Sequence, residues 1–241
     1  MNILYVNVLE TATTIAPSSQ NSHFNVGNML VSSLRIPYRS VVTNPNIVID
    51  FATAKTFDCI GLAGHNLATL RCRLLDASDA VLHDETFTDL LSTDILYLTS
   101  TSGVYKVWLN MTTLADYVEI GYMSMGEFYH MPRPTFEYDE SLEITNEVEQ
   151  TKFGQSYGTD GVVLQTYSPD FTNITRIQLA EIQTIVRTVR NYKPIFVDMT
   201  EDAHDFKPPL YATLNMTTAS MSSYSHGVQR CVASLVIRET L

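Results

Sequence analysis

The chain is poor in basic residues and cysteine, and it lacks any long apolar run. Fifteen Lys and Arg stand against 26 Asp and Glu, for a formal net charge of −11. This balance argues against wrapping nucleic acid, because neutralising phosphates needs a basic surface. An acidic conduit through which DNA slides remains compatible with it. No apolar stretch approaches the ~20 residues that cross a bilayer as a helix. The opening Met1-Asn2-Ile3-Leu4-Tyr5-Val6 has no basic stretch leading into a long apolar core and a cleavage site, so no secretory signal is expected there. Without secretion, the acceptor sequences at Asn110, Asn173 and Asn215 carry no weight. Cys59, Cys72 and Cys231 are odd in number and lack Cys-x-x-Cys spacing, which reads as buried small apolar residues. No Gly-x-Ser-x-Gly and no catalytic-cysteine signature occur. Gly154, Gly158 and Gly161 spell neither a Walker nor a dinucleotide fingerprint.

What is present describes a globular, mainly β chain. At 241 residues, 45% hydrophobic and 17% charged, it has core material for one large or two ordinary domains. From Met1 to about Met131, short alternating runs separated by polar turns predict a β-sandwich. The predicted strands are Val31 to Ile36, Ile47 to Phe51, Cys59 to Gly64, Leu70 to Leu75, Ile95 to Thr99, Tyr105 to Asn110 and Tyr117 to Met125. The last two are expected to pair across the loop 111–116. Met131-Pro132-Arg133-Pro134 breaks the pattern. The stretch Glu137 to Gln150 follows, with six acidic residues and no basic one, and is read as a linker or extended acidic arm over 132–150. In assembly such an arm could lie on a basic surface of a neighbouring subunit.

Residues 151–241 change pattern. Gly161 to Tyr167 is predicted to be a strand, with Phe171 to Gln178 as its hairpin partner. Thr175-x-x-Gln178 also spells a capping box that would shorten the second strand. Leu179, Ile182, Ile185, Val186 and Val189 fall on one stripe of a predicted helix, Leu179 to Asn191. Ile195 to Asp198, Leu210 to Thr217 and Gln229 to Arg238 complete a β-sandwich flanked by that single helix.

The strand Ile47-Val48-Ile49-Asp50-Phe51, the turn Gly64-His65-Asn66-Leu67 and the strands Trp108-Leu109-Asn110 and Tyr117 to Gly126 together resemble the discoidin-like (galactose-binding-like) jelly roll of bacteriophage tail proteins. The second half resembles the tail-tube fold more by pattern than by motif. Distal tail proteins commonly carry the tube-like domain first, the reverse of the order here. The resemblance implies a structural virion protein, a distal-tail or tail-tip ring component that closes the tube end. Its partners would be copies of itself in a ring, a hexamer by family likeness, together with the tube, the hub and the fibre or receptor-binding proteins. Its place would be the virion tail, after assembly in the host cytoplasm. The alternative is a carbohydrate-binding adhesion module of the tail. Glycan-binding loops would then lie at 11–24, 76–94 and 99–103, which are polar but short of aromatics.

No enzyme activity is expected, and no residue is assigned a catalytic, cofactor-binding or metal-ligating role. The strongest metal alternative is Asp198, Glu201, Asp202, His204 and Asp205, whose hard donors could hold a cation. They lack the glycine and the spacing of a calcium loop and suit a polar connection between strands. The side chain of His65 or of Asn66 is expected to bond the backbone of their turn. Trp108 is read as a packing anchor, with a sugar platform as the sharper alternative.

Overall fold

A computed structural model describes residues 1–134, 139–145, 148–150, 156–158, 162–190, 192–200, 208–223 and 229–240. Among these the strands are β1 (Asn2–Leu4), β2 (Thr14–Pro17), β3 (Tyr38–Arg39), β4 (Asn46–His65), β5 (Leu67–Leu75), β6 (Val81–Thr88), β7 (Thr93–Thr113), β8 (Glu119–Gly126) and β9 (Tyr129–His130). They continue with β10 (Asp139–Thr145), β11 (Val148–Gln150), β12 (Ser156–Gly158), β13 (Val162–Ser168), β14 (Asp170–Ile174), β15 (Ile195–Asp198), β16 (Leu210–Ser223) and β17 (Gln229–Glu239). The α-helix α1 (Arg176–Val189) lies between β14 and β15. The protein is mainly β, as the alternating sequence predicts.

Compactness divides the chain into two units. The first is Met1–His130 with Phe196–Tyr211, and the second is Met131–Ile195 with Ala212–Thr240. This corrects the expected second domain at 151–241, because Phe196–Tyr211 folds with the first unit.

In the first unit, strands run in the order β3-β8-β4-β7-β5-β6, with β2 on β4. The strands β4 and β7 are each long enough to serve both layers of a sandwich. Their pairing is regular over Asn46–Asp50 and again from Cys59, and it shifts register repeatedly in between. Such bulged corners let a strand turn from one sheet into the other. Ile47, Ile49, Leu70, Cys72, Val107 and Leu109 from one layer share a core with Ile60, Leu62, Ile120, Met123 and Met125 from the other. The alternation of β4 and β7 thus puts every second residue into the middle of the sandwich.

The β8–β4 layer is buried on both faces. Cys59, Ala63, Ile95 and Tyr122 point away from the main core into a second cluster with Leu4, Phe196 and Tyr211. The cover is a run of three strands, in which Asn2, Ile3 and Leu4 of β1 pair with Asp198, Val197 and Phe196 of β15, and β1 pairs with β9 on its other side. Phe196, Val197 and Asp198 are accordingly buried.

Several expectations are corrected. Ile47 to Phe51 and Cys59 to Gly64 are parts of one strand, as are Ile95 to Thr99 and Tyr105 to Asn110. The strand β8 pairs with β3 and β4, not with β7, because β4 lies between them. Val31 to Ile36 is not a strand. A short 3-10 turn, Val26–Leu30, capped by the Asn25 side chain on the Gly27 N–H at 2.9 Å, precedes it, and Val31 and Ile36 are exposed.

In the second unit the order is β10-β13-β17-β16, with β14 also on β17 and β11 paired with β12. Cys231, Ala233, Leu235 and Ile237 alternate into its core. The stretch read as an acidic arm is therefore partly a strand, since Asp139 to Thr145 pair along their length with β13. The expected hairpin of Phe171 to Gln178 with Gly161 to Tyr167 does not form; β14 pairs with β17 and ends at Ile174. There the capping box prevails: Thr175 Oγ1 accepts from the Gln178 N–H at 3.2 Å, and Gln178 Oε1 accepts from the Thr175 N–H at 2.8 Å. Leu179, Ile182, Ile185 and Val189 form the buried face of α1, as the periodicity predicts.

Candidate functional site

The outward face of the β5–β7–β4 layer carries a groove in the first unit. Because Val107 and Leu109 point into the core, Lys106 and Trp108 must point outward. Strand register then builds rows across the sheet. Val48, Trp108, Arg73 and Asp84 are successive partners, and Asp50, Lys106 and Leu75 form the next row. A cavity of about 450 Å³ opens here, lined by Val48, Leu75, Val81 and Trp108, with Arg73, Lys106 and Asp79. That volume lies within the ~300–1,000 Å³ span of ligand clefts.

The charged groups are all engaged with one another. The Arg73 guanidinium lies over the Trp108 ring, 4.9 Å from its centroid. Asp84 accepts two hydrogen bonds from Arg71, at 2.6 and 2.7 Å, and sits 3.3 Å from Arg73 Nε. The Arg73 Nε–H is off the line of a true hydrogen bond, and the buried Trp108 Nε1–H has no acceptor among the described residues. The Arg71 bonds hold the Asp84 carboxyl below its usual pKa range. Lys106 Nζ contacts Asp79 Oδ1 and lies 3.9 Å from Asp50 Oδ1, and the bond to Asp79 raises the lysine pKa.

Local turn chemistry delivers Asp79 to the rim. Asp76 Oδ1 accepts from the N–H groups of Ser78 (2.7 Å) and Ala80 (2.9 Å). Asp79 takes up a left-handed conformation, φ 64°, which aspartate tolerates better than most residues. Asp79 and Val81 fall in the stretch 76–94 read from sequence as a glycan-binding loop, but that stretch contains strand β6. Of the other two, 11–24 contains β2, 99–103 lies within β7, and neither lines this groove.

Asp198, the one described member of the 198–205 cluster, is buried. Its carboxylate accepts from Tyr97 Oη and from the Thr200 N–H at 2.8 Å, so it serves to fasten β15. Glu201, Asp202, His204 and Asp205 lie outside the described residues, as do Gly154 and Gly161. The three cysteines are unpaired and buried. Of the turn residues, His65 bonds its own turn as the sequence predicts, whereas Asn66 reaches the backbone of a distant segment. Asn66 Nδ2 donates to Tyr117 O at 2.8 Å, its Oδ1 accepts from the Glu119 N–H at 2.7 Å, and His65 Nδ1 accepts from the Leu67 N–H at 3.2 Å.

Trp108, read from sequence as a packing anchor with a sugar platform as the alternative, lies outside the main core and lines the groove. Arg73, Lys106, Val48 and Leu75 were not singled out from sequence, since only cross-strand register brings them beside it. Alternation could have shown that Lys106 and Trp108 share a face, yet it cannot identify the neighbouring strands.

No family model matches the chain, and no curated protein does. Solved structures similar in layout cover about half of it. The lectin domain of lectinolysin, solved with Lewis B antigen, is 9% identical over 51% of this chain and 97% of its own, at TM-score 0.43. Chitosan-binding module 1 of a chitosanase/glucanase from Paenibacillus sp. IK-5 is 14% identical over 51% and 98%, at TM-score 0.42. The family 32 carbohydrate-binding module of C. perfringens NanJ, solved with galactose, is 6% identical over 54% and 100%, at TM-score 0.43. These identities and TM-scores are too low to transfer a ligand.

Proposed function

We propose that the chain is a non-enzymatic recognition protein whose first unit binds saccharide. The groove beside Trp108 carries this reading. It joins an aromatic and aliphatic floor to a rim of polar side chains, the combination that suits a ligand with one apolar face and many hydroxyls. In the rim Asp79 and Asp50 face Lys106 and Asp84 faces Arg71, paired polar groups available to a ligand's hydroxyls. The test is a glycan array probed with the full chain. Saturable binding to a defined saccharide is the expected result, and a blank array would overturn the reading.

A second reading rests on the Gly64-His65-Asn66-Leu67 turn and the Trp108-Leu109-Asn110 strand. Their resemblance to phage tail modules supports a role in a virion tail, as a distal-tail or tail-tip ring that docks hub, fibre or receptor-binding proteins. Ring closure needs heterologous contacts whose rotation closes on itself. The two readings are compatible, since a tail ring can carry a sugar-binding unit. Negative-stain microscopy with native mass measurement tests the ring; a protein that stays monomeric on its own and on isolated tails would count against it.

A further inference from the structure

We infer that the groove beside Trp108 selects an uncharged pyranoside over an acidic one, with Lys106 and Asp79 as the pair that grips its hydroxyls. This rests on the saccharide-binding reading and goes further, to the ligand class and the residues that set it. The floor comes first: Val48, Leu75, Val81 and Trp108 supply an apolar surface for the C–H face of a sugar ring. The rim then decides the charge. Arg71, Arg73 and Lys106 are matched by Asp84, Asp79 and Asp50 in a set of ion pairs, three cations to three carboxylates. The face therefore has no surplus positive charge to draw in an anion, and the chain as a whole carries −11.

An acidic sugar would have to displace Asp79 from Lys106 and leave one carboxylate unpaired beside another. A vicinal diol faces no such conflict. One hydroxyl accepts from the Lys106 ammonium while its neighbour donates to the Asp79 carboxylate, so both charges keep a partner. Asp79 can be reached, since its side chain is 64% exposed. Arg73, stacked on Trp108 and beside Asp84, stiffens the floor rather than presenting a free cation.

Trp108 is the only tryptophan, so its fluorescence reports on this groove alone. The full chain is titrated with lactose, cellotetraose and chitotetraose, and with 3′-sialyllactose and a galacturonate trimer as acidic counterparts. The expected result is a saturable emission change with at least one neutral sugar and at least tenfold weaker response to the acidic ones. Asp79→Asn and Lys106→Met should each weaken the neutral ligand at least fivefold while circular dichroism stays unchanged. Tighter binding of an acidic sugar would overturn the neutral-ligand inference and leave the recognition reading standing. Array-positive binding that neither perturbs Trp108 nor responds to these variants would place the site elsewhere and overturn it too. Silence in both titration and array would overturn the recognition reading itself.

Discussion

The Phe196 ring lies on Gly61. A β-carbon built on that glycine would stand 2.3 Å from Phe196 Cδ2, inside any real contact distance. Gly61 is therefore the point at which β4 lets a side chain from a distant segment settle flat against the sheet. Phe196 also stacks with Tyr122, centroids 5.9 Å apart, and meets Tyr211 at 5.3 Å, so the glycine opens a seat for an aromatic cluster.

Gly61→Ala should cost about 1–3 kcal/mol of stability through overpacking. Phe196→Ala should cost roughly 3–5 kcal/mol through the cavity it leaves. The double variant should lose clearly less than the sum, because removing the ring removes the clash. Urea unfolding of all four proteins checks this, and strict additivity would contradict the contact.

Asn66 spans two backbone groups across the sheet end, the Tyr117 carbonyl and the Glu119 amide. Asn66→Ala leaves both without their side-chain partner and should cost about 1–3 kcal/mol. Asn66→Asp keeps the acceptor for Glu119 and loses the donor to Tyr117, so its melting temperature should fall between those of wild type and the alanine variant.

His65 links stability to pH. Burial pushes its imidazole pKa below the ordinary value, partly offset by the nearby Asp94 carboxylate. Its Nδ1 must also stay unprotonated to accept from Leu67 N–H. The unfolded chain thus takes up a proton more readily than the folded one. The histidine's contribution is present above its unfolded pKa, near 6.5, and is lost as pH falls from there toward the depressed folded value. Melting curves from pH 8 to pH 5 should show a steeper acid loss in wild type than in His65→Gln. Parallel curves would refute the linkage.

Thr175 begins the helix of the second unit through its reciprocal bonds with Gln178. Thr175→Ala should destabilise that helix by about 1 kcal/mol, and Thr175→Ser should restore most of it. Amide exchange at residues 176–179 reads this end directly. Equal protection in all three proteins would show that packing of Leu179 and Ile182 alone holds the terminus.

Much of the secondary structure was legible because it depends on neighbours in sequence. Ile47, Ile49 and Phe51 alternate into the core as read, and the stripe Leu179, Ile182, Ile185 and Val189 packs as read. The errors came where distant segments compete for the same partner. The strand β4 separates β7 from β8, and β17 takes β14 from β13; no local pattern encodes either choice. The acidic stretch read as a linker supplied a paired strand, because backbone pairing with β13 is not excluded by acidic composition.

By itself the sequence determined a mainly β chain with one amphipathic helix, buried cysteines and a turn at 64–67 held by a side chain bonding its own backbone. These follow from period-two and helical patterning and from short-range turn chemistry. Only the tertiary structure decided that Phe196 covers Gly61, and that Val48, Arg73, Lys106 and Asp79 converge on Trp108. Strand register and the turning of β4 and β7 between layers are settled by which apolar faces can be buried together, a balance summed over the whole core rather than written at any one residue.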